Sequence, residues 1–291
     1  MHASSRIPRG PRRPASARRP LRPLILLVAG AVAALAFLPG ARGSEATAPS
    51  SGPALSVPFE DDFESGQLNP DVWTRHEAGG GTVTLVQGKG GYGKYVLQAH
   101  LPANASRAFA LIGTTRLPDS LRAHAFGRAY VFISPNGPTR HTVLTYSGSA
   151  AWPAASWLEV GMYQAAFQLS YQQQGSAFPA RGETVAFGRP IPIGRWFCLE
   201  WEVSDDPDTL TVWADGERMN SEVFSFKTFG NAKLVGGFAD FGLGVRVFGP
   251  VPAAYDIYYD AVAFDTKRIG PLKSPPAPMP PDAAGGTAPA P

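Results

Sequence analysis

Two acids set the first chemical question. Glu200 and Glu202 stand two residues apart in residues 194–217, GRWFCLEWEVSDDPDTLTVWADGE. Paired carboxylates on one strand face are the raw material of glycoside hydrolysis, where the two groups of a retaining site stand about 5–5.5 Å apart. A bare E-W-E is also what a solvated strand carries, so the face it sits on decides its meaning. Cys198, the single cysteine, allows no intrachain disulfide. No histidine lies near it in sequence, so it reads as a small, partly buried strand residue rather than a nucleophile. The glycine-rich turn 88–93 lacks the following helix that a phosphate loop needs, and no zinc spacing or nucleophile elbow occurs.

The elements that position these acids are strands. Residues 196–203 alternate strictly: Phe197, Leu199, Trp201 and Val203 point one way, and Trp196, Cys198, Glu200 and Glu202 the other. Ser204-Asp205-Asp206-Pro207-Asp208 supplies a turn, residues 209–214 return as a second strand, and Asp215-Gly216 turns again. Further strands are expected at 82–86, 95–100, 108–117, 127–134, 141–146, 184–187, 234–237, 241–248 and 255–264, with a hairpin from 157–163 to 166–171. No amphipathic helix longer than about two turns is visible. With 17% charged residues, 11% aromatics, 32 glycines and 29 prolines, the chain is β-rich and turn-rich.

The formal charge of +3 is concentrated at the amino terminus, where Arg6, Arg9, Arg12, Arg13, Arg18, Arg19 and Arg22 precede an uncharged apolar run at 24–38. That run is short for a membrane span and suits a signal-peptide core. The sequence therefore predicts a signal peptide over 1–44, a linker over 45–57, one domain over 58–270 and a disordered Pro/Ala-rich tail over 271–291. The domain is expected outside the cytoplasm, secreted or in the envelope, with no membrane span after cleavage; an uncleaved anchor at 24–38 is the alternative and leaves the domain on the same side. Without the basic leader it is mildly acidic, which excludes a nucleic-acid footprint.

A dozen short strands and no disulfide predict an all-β jelly-roll sandwich of two antiparallel sheets. Each sheet buries one face, and a curved outer face can hold an extended ligand. Aromatic rings stack on sugar faces while carboxylates and amides take hydroxyls, so a polysaccharide is the partner such a face suits.

Three stretches carry a resemblance: FEDDFESGQLNPDVW, RWFCLEWEV with TLTVWADGE, and YDIYYDAVAFDTKRIG. In the same order they resemble the secreted polysaccharide-lyase-like family of the fungal cellulose-induced protein type, a concanavalin A-like jelly roll related to glucuronan lyases. The resemblance implies a structural calcium where opening and closing strands meet. Its matching acids are Glu64 and Asp260, completed by carbonyls of the 88–93 loop. It also implies an acidic glycan as ligand, and the chain is expected to act as a monomer.

Lyase chemistry on a uronate polymer needs a base for the proton beside the carboxyl group, a neutraliser for that carboxylate, and an acid for the leaving oxygen. The resemblance aligns Arg128, His141 and Tyr171 with that machinery. Tyr130, Glu159, Tyr163, Gln164, Gln168 and Glu200 are the expected substrate contacts. One departure matters: Glu159 stands where the family carries an arginine, and a carboxylate there repels a uronate. Tyr171 shares parity with Phe167 and Leu169, which turns it to the core unless a bulge intervenes. The Glu-x-Asp-x-x-Glu strand of laminarinase-type glycosidases is absent. Two further readings stay open: a non-catalytic carbohydrate-binding module and a structural envelope module.

Overall fold

The structure, a computed structural model, describes residues 59–137, 142–153, 156–172, 182–205, 208–220, 224–225 and 237–280. The strands run β1 (Phe59–Asp61), β2 (Thr74–Ala78), β3 (Thr82–Gln87), β4 (Tyr95–Leu101), β5 (Ala108–Thr114), β6 (His124–Ile133) and β7 (Thr142–Gly148). They continue as β8 (Trp157–Tyr163), β9 (Ala166–Gln172), β10 (Gly182–Pro190), β11 (Trp196–Asp205), β12 (Asp208–Ala214), β13 (Glu217–Arg218), β14 (Phe224–Ser225), β15 (Asp240–Val247) and β16 (Tyr255–Asp265). One 3₁₀ turn, Asp119–Leu121, is the helical element among the described residues.

Two antiparallel sheets form the expected jelly-roll sandwich. The nine-stranded sheet runs β13-β12-β11-β6-β16-β4-β3, with β1 on β16 and β14 on β12. The seven-stranded sheet runs β10-β9-β8-β7-β15-β5-β2. Period-two alternation puts Ala129, Val131, Phe197, Leu199, Trp201 and Val203 of one sheet against Leu158, Val160, Phe167, Leu169, Leu243 and Val245 of the other. This apolar layer fixes the register, because a one-residue slip would send each set outward.

Two features depart from the sequence expectations. β2, TRHEA, has a mostly exposed pattern and no clean alternation, yet it edges the seven-stranded sheet. Residues 271–280, expected as disordered tail, pack on the outer face of the nine-stranded sheet. Leu272 N donates to Tyr130 Oη at 2.8 Å, Tyr92 Oη donates to Ser274 O at 2.6 Å, and Gly91 pairs with Ala277. The expected leader and linker, His141, and all but Gly237 of the expected 234–237 strand lie outside the described residues. No helix among the described residues is long and apolar enough to cross a membrane.

Candidate functional site

The register builds a polar row across the outer face of the seven-stranded sheet. Direct cross-strand neighbours run Thr184, Ser170, Glu159, Tyr146, Gly242, Gly113 and Thr74. A second row runs Gln172, Trp157, Gly148 and Asp240. Tyr146 lies flat across its glycine neighbours: a Cβ on Gly242 would run into its ring, and one on Gly113 into its hydroxyl. Two strand-interior glycines, which cost a sheet packing and entropy, thus make room for one tyrosine.

That space aims the phenol at chemistry. Tyr146 Oη donates to Asp240 Oδ2 at 3.3 Å, and Trp152 N donates to the same oxygen at 2.6 Å. Asp240 Oδ1 and His76 Nε2 stand 3.2 and 3.3 Å from the point where a Gly113 Cβ would be, beside the Tyr146 hydroxyl. The Trp152 ring closes the group, 5.0 Å from His76 and 4.7 Å from Phe109 between centroids. Burial pushes the Asp240 carboxyl up to about 7, against the pull of its hydrogen bonds from Trp152 and Tyr146. Burial also raises Tyr146 well above the usual phenol range and lowers His76.

Beside this trio lies a buried ion pair. Glu159, 2% exposed, bonds Arg246, which is fully buried. Trp157 Nε1 donates to Glu159 Oε1 at 2.6 Å and Gln172 Nε2 to Oε2 at 3.2 Å. The Arg246 guanidinium lies over the Trp157 and Phe248 rings at 5.4 and 4.6 Å. Burial lowers the arginine's pKa and the neighbouring Glu159 carboxylate raises it again. Such a pair persists because each charge answers the other and the remaining lone pairs are filled.

The residues singled out in the sequence do not form one site. Arg128, Tyr130 and Glu200 belong to β6 and β11 of the nine-stranded sheet, whereas Glu159, Tyr163, Gln168 and Tyr171 belong to β8 and β9 of the other. Period two reports a strand's faces but not which sheet it joins. Tyr171 turns into the core, as its parity with Phe167 and Leu169 requires, and is no part of an outer-face site. Gln164 sits in the two-residue β8–β9 turn, with Gln164 at φ 51 and Ala165 at φ 58, not on a strand face. Tyr163 ends β8 and is 43% exposed; Gln168 is buried on the outer face beside Gly161.

Glu200 is a structural anchor. Its carboxylate takes Arg268 Nε and NH2 at 3.2 and 2.9 Å and Gly270 N at 2.8 Å, fixing the chain beyond β16. Arg268 also lies over Trp213 at 4.5 Å. Arg128, buried beside Glu200, donates to Ala261 O at 3.3 Å. Cys198 is buried with its thiol pushed up to about 12, chiefly by burial, which removes thiolate chemistry.

The expected metal ligands Glu64 and Asp260 do meet at the 88–93 loop, but the donor set around them does not fit a hard cation. Lys94 N and Tyr95 N donate to Glu64 Oε1 at 2.7 and 2.8 Å, and Tyr92 N donates to Asp260 Oδ2 at 2.5 Å. Calcium needs oxygen ligands, and Tyr92, Lys94 and Tyr95 turn N–H groups to these acids. No group of three His, Cys, Asp or Glu side chains gathers as a metal cluster among the described residues.

Tyr146, Asp240, His76 and Trp152 were not singled out in the sequence. They come from three separate segments, β2, β7 with the turn after it, and β15, and the legible signal was Gly113 and Gly242 inside otherwise apolar strands.

These features define a jelly-roll sandwich with a polar, aromatic outer face on one sheet. The fold is shared with solved structures. The cellulose-induced protein Cip1 matches with a TM-score of 0.56 and 16% identity, over 74% of this chain and 100% of that one. A family 16 glycoside hydrolase endo-glucanase from Bacteroides ovatus matches with a TM-score of 0.52 and 12% identity, over 71% and 99%. A second Bacteroides ovatus family 16 structure, from a mixed-linkage glucan locus, matches with a TM-score of 0.51 and 12% identity, over 71% and 99%. No family model and no curated protein matches the sequence.

Proposed function

We propose that this chain is an extracytoplasmic polysaccharide-binding protein whose ligand lies on the outer face of the seven-stranded sheet. One observation carries the reading: Tyr146 is laid over Gly242 and Gly113 so that its hydroxyl meets Asp240 beside His76 and Trp152. Rings with fixed hydrogen-bonding groups suit a sugar polymer. The jelly-roll likeness to glycan-related proteins supports the same reading at the level of fold. Affinity electrophoresis of the full chain through gels containing cellulose derivatives, mixed-linkage glucan, alginate or polyglucuronate tests it. Retardation by at least one glycan is expected; free migration through every gel contradicts it.

A second reading, β-elimination from an acidic glycan, is favoured by the protonation states of the same trio. With its pKa lowered, His76 is neutral at pH 7 and can accept the proton next to the uronate carboxyl. Tyr146, held protonated, can donate to the leaving oxygen. The C–H electrons form the new double bond as the glycosidic C–O bond opens. Arg246, the buried cation of this face, is balanced by Glu159 and leaves little charge to neutralise a uronate. Appearance of unsaturated-uronate absorbance that Tyr146→Phe abolishes supports elimination; binding without that absorbance leaves a binding module.

A further inference from the structure

The loop between β3 and β4 carries Gly88, Gly90, Gly91 and Gly93 at φ 69, 72, 83 and 85. Beside these left-handed turns the N–H groups of Tyr92, Lys94 and Tyr95 line a concavity that attracts negative charge. Two acids fill it. Glu64 follows β1, and Asp260 projects at the β16 irregularity between Asp260 and Ala263. Tyr92 N reaches Asp260, and Lys94 N and Tyr95 N reach Glu64. The second Asp260 oxygen takes Ala261 N at 2.7 Å. A Cβ on Gly91 would stand 2.5 Å from Asp260 Oδ2, and one on Gly93 2.5 Å from Glu64 Oε1. The acids therefore lie as near the backbone as glycine alone permits.

The other edge of the same loop holds the carboxyl-terminal segment. Gly91 N donates to Ala277 O at 3.0 Å and Ala277 N donates to Gly91 O at 2.8 Å. A Cβ on Gly90 would meet Ala277 O at 2.5 Å. Pro275, Pro276, Pro278 and Pro280 lack N–H groups and cannot extend a ladder, but an extended proline-rich segment suits an aromatic surface. Met279 packs on the cluster of Tyr130, Phe132, Trp196 and Tyr258.

We infer that the glycine-rich turn into β4 is a metal-free clasp: the peptide N–H groups of Tyr92, Lys94 and Tyr95 hold Glu64 and Asp260 in the place expected of a calcium ion, and the Gly91 edge docks residues 271–280 onto the nine-stranded sheet. Inward N–H dipoles oppose a cation, and a bound calcium would have to break the hydrogen bonds that close the clasp. The inference is independent of the glycan reading.

Thermal melts of the full chain in chelator and in millimolar calcium test the first half. The melting temperature is expected to be the same in both; a rise with calcium, which mass action gives any ion that binds the folded state, overturns the metal-free clasp. Limited trypsin digestion tests the second half at Lys273, within the docked segment. Gly91→Ala is expected to lower the melting temperature and speed cleavage there several-fold. Tyr92→Phe, which leaves the loop backbone intact and removes the hydroxyl's bonds to Ser274 and Tyr130, is expected to speed cleavage less. Cleavage in Tyr92→Phe at the native rate overturns the docking, even if Gly91→Ala fails to fold.

Discussion

The outer faces of the two sheets hold similar residue types to opposite ends. On the nine-stranded sheet, Glu200, Tyr130 and Tyr92 spend their polar atoms on the chain's own continuation, through Arg268, Gly270, Leu272 and Ser274. On the seven-stranded sheet, Tyr146, Asp240, His76 and Trp152 converge where two glycines make room for the Tyr146 ring and hydroxyl. The first face is closed by peptide, and its bonds are those of a strap. The second joins a phenol, a carboxyl and an imidazole to one another instead. An acid on a strand is thus not informative until its partner is known: Glu200 holds a backbone, whereas Asp240 faces a phenol and an imidazole.

Four changes break or sharpen this contrast. Arg246→Met has the largest expected effect, because it leaves Glu159 charged and buried; a loss of about 3–5 kcal/mol in denaturant unfolding is expected. Gly113→Ala forces a methyl group into the space of the Tyr146 hydroxyl and is expected to cost about 1–3 kcal/mol by overpacking. It should also weaken glycan binding, which equilibrium titration reads separately from stability. Glu200→Gln on the other face loses a charged anchor whose partner, Arg268, is partly exposed. It is expected to cost about 2 kcal/mol or less, with no change in glycan affinity.

The pH dependence is gentler per step. Asp240 and Asp260 are each raised to about 7, chiefly by burial, so between the ordinary carboxylate range and pH 7 the folded chain binds more protons than the unfolded one. Their contribution to stability therefore falls as pH rises through that window, by at most about 1.4 kcal/mol per pH unit for each group. Unfolding measured from pH 4 to 8 should show Asp240→Asn removing part of the slope.

The alternation of residues 196–203 made the β11 faces legible, with Leu199 and Trp201 inward and Glu200 and Glu202 outward, as found. The assignment of strands to sheets was not legible. β6 pairs with β11 and β16, far along the chain, so Arg128 joined Glu200 rather than Glu159. The trio on the seven-stranded sheet was hidden for the same reason: β2, β7 and β15 meet only through β5 and each other. The docked segment was hidden by composition, since prolines that cannot pair in a sheet read as disorder until the contacts of Leu272, Ser274 and Met279 are placed.

The central claim is that the glycan face is the seven-stranded sheet's. Its most direct test is a single affinity titration, with the glycan that retards the native chain, of two tryptophan variants whose melts confirm folding. Trp152→Ala is expected to lose roughly tenfold or more in affinity while Trp213→Ala stays near native. Native affinity in Trp152→Ala together with loss in Trp213→Ala would place the ligand on the nine-stranded sheet and contradict the account.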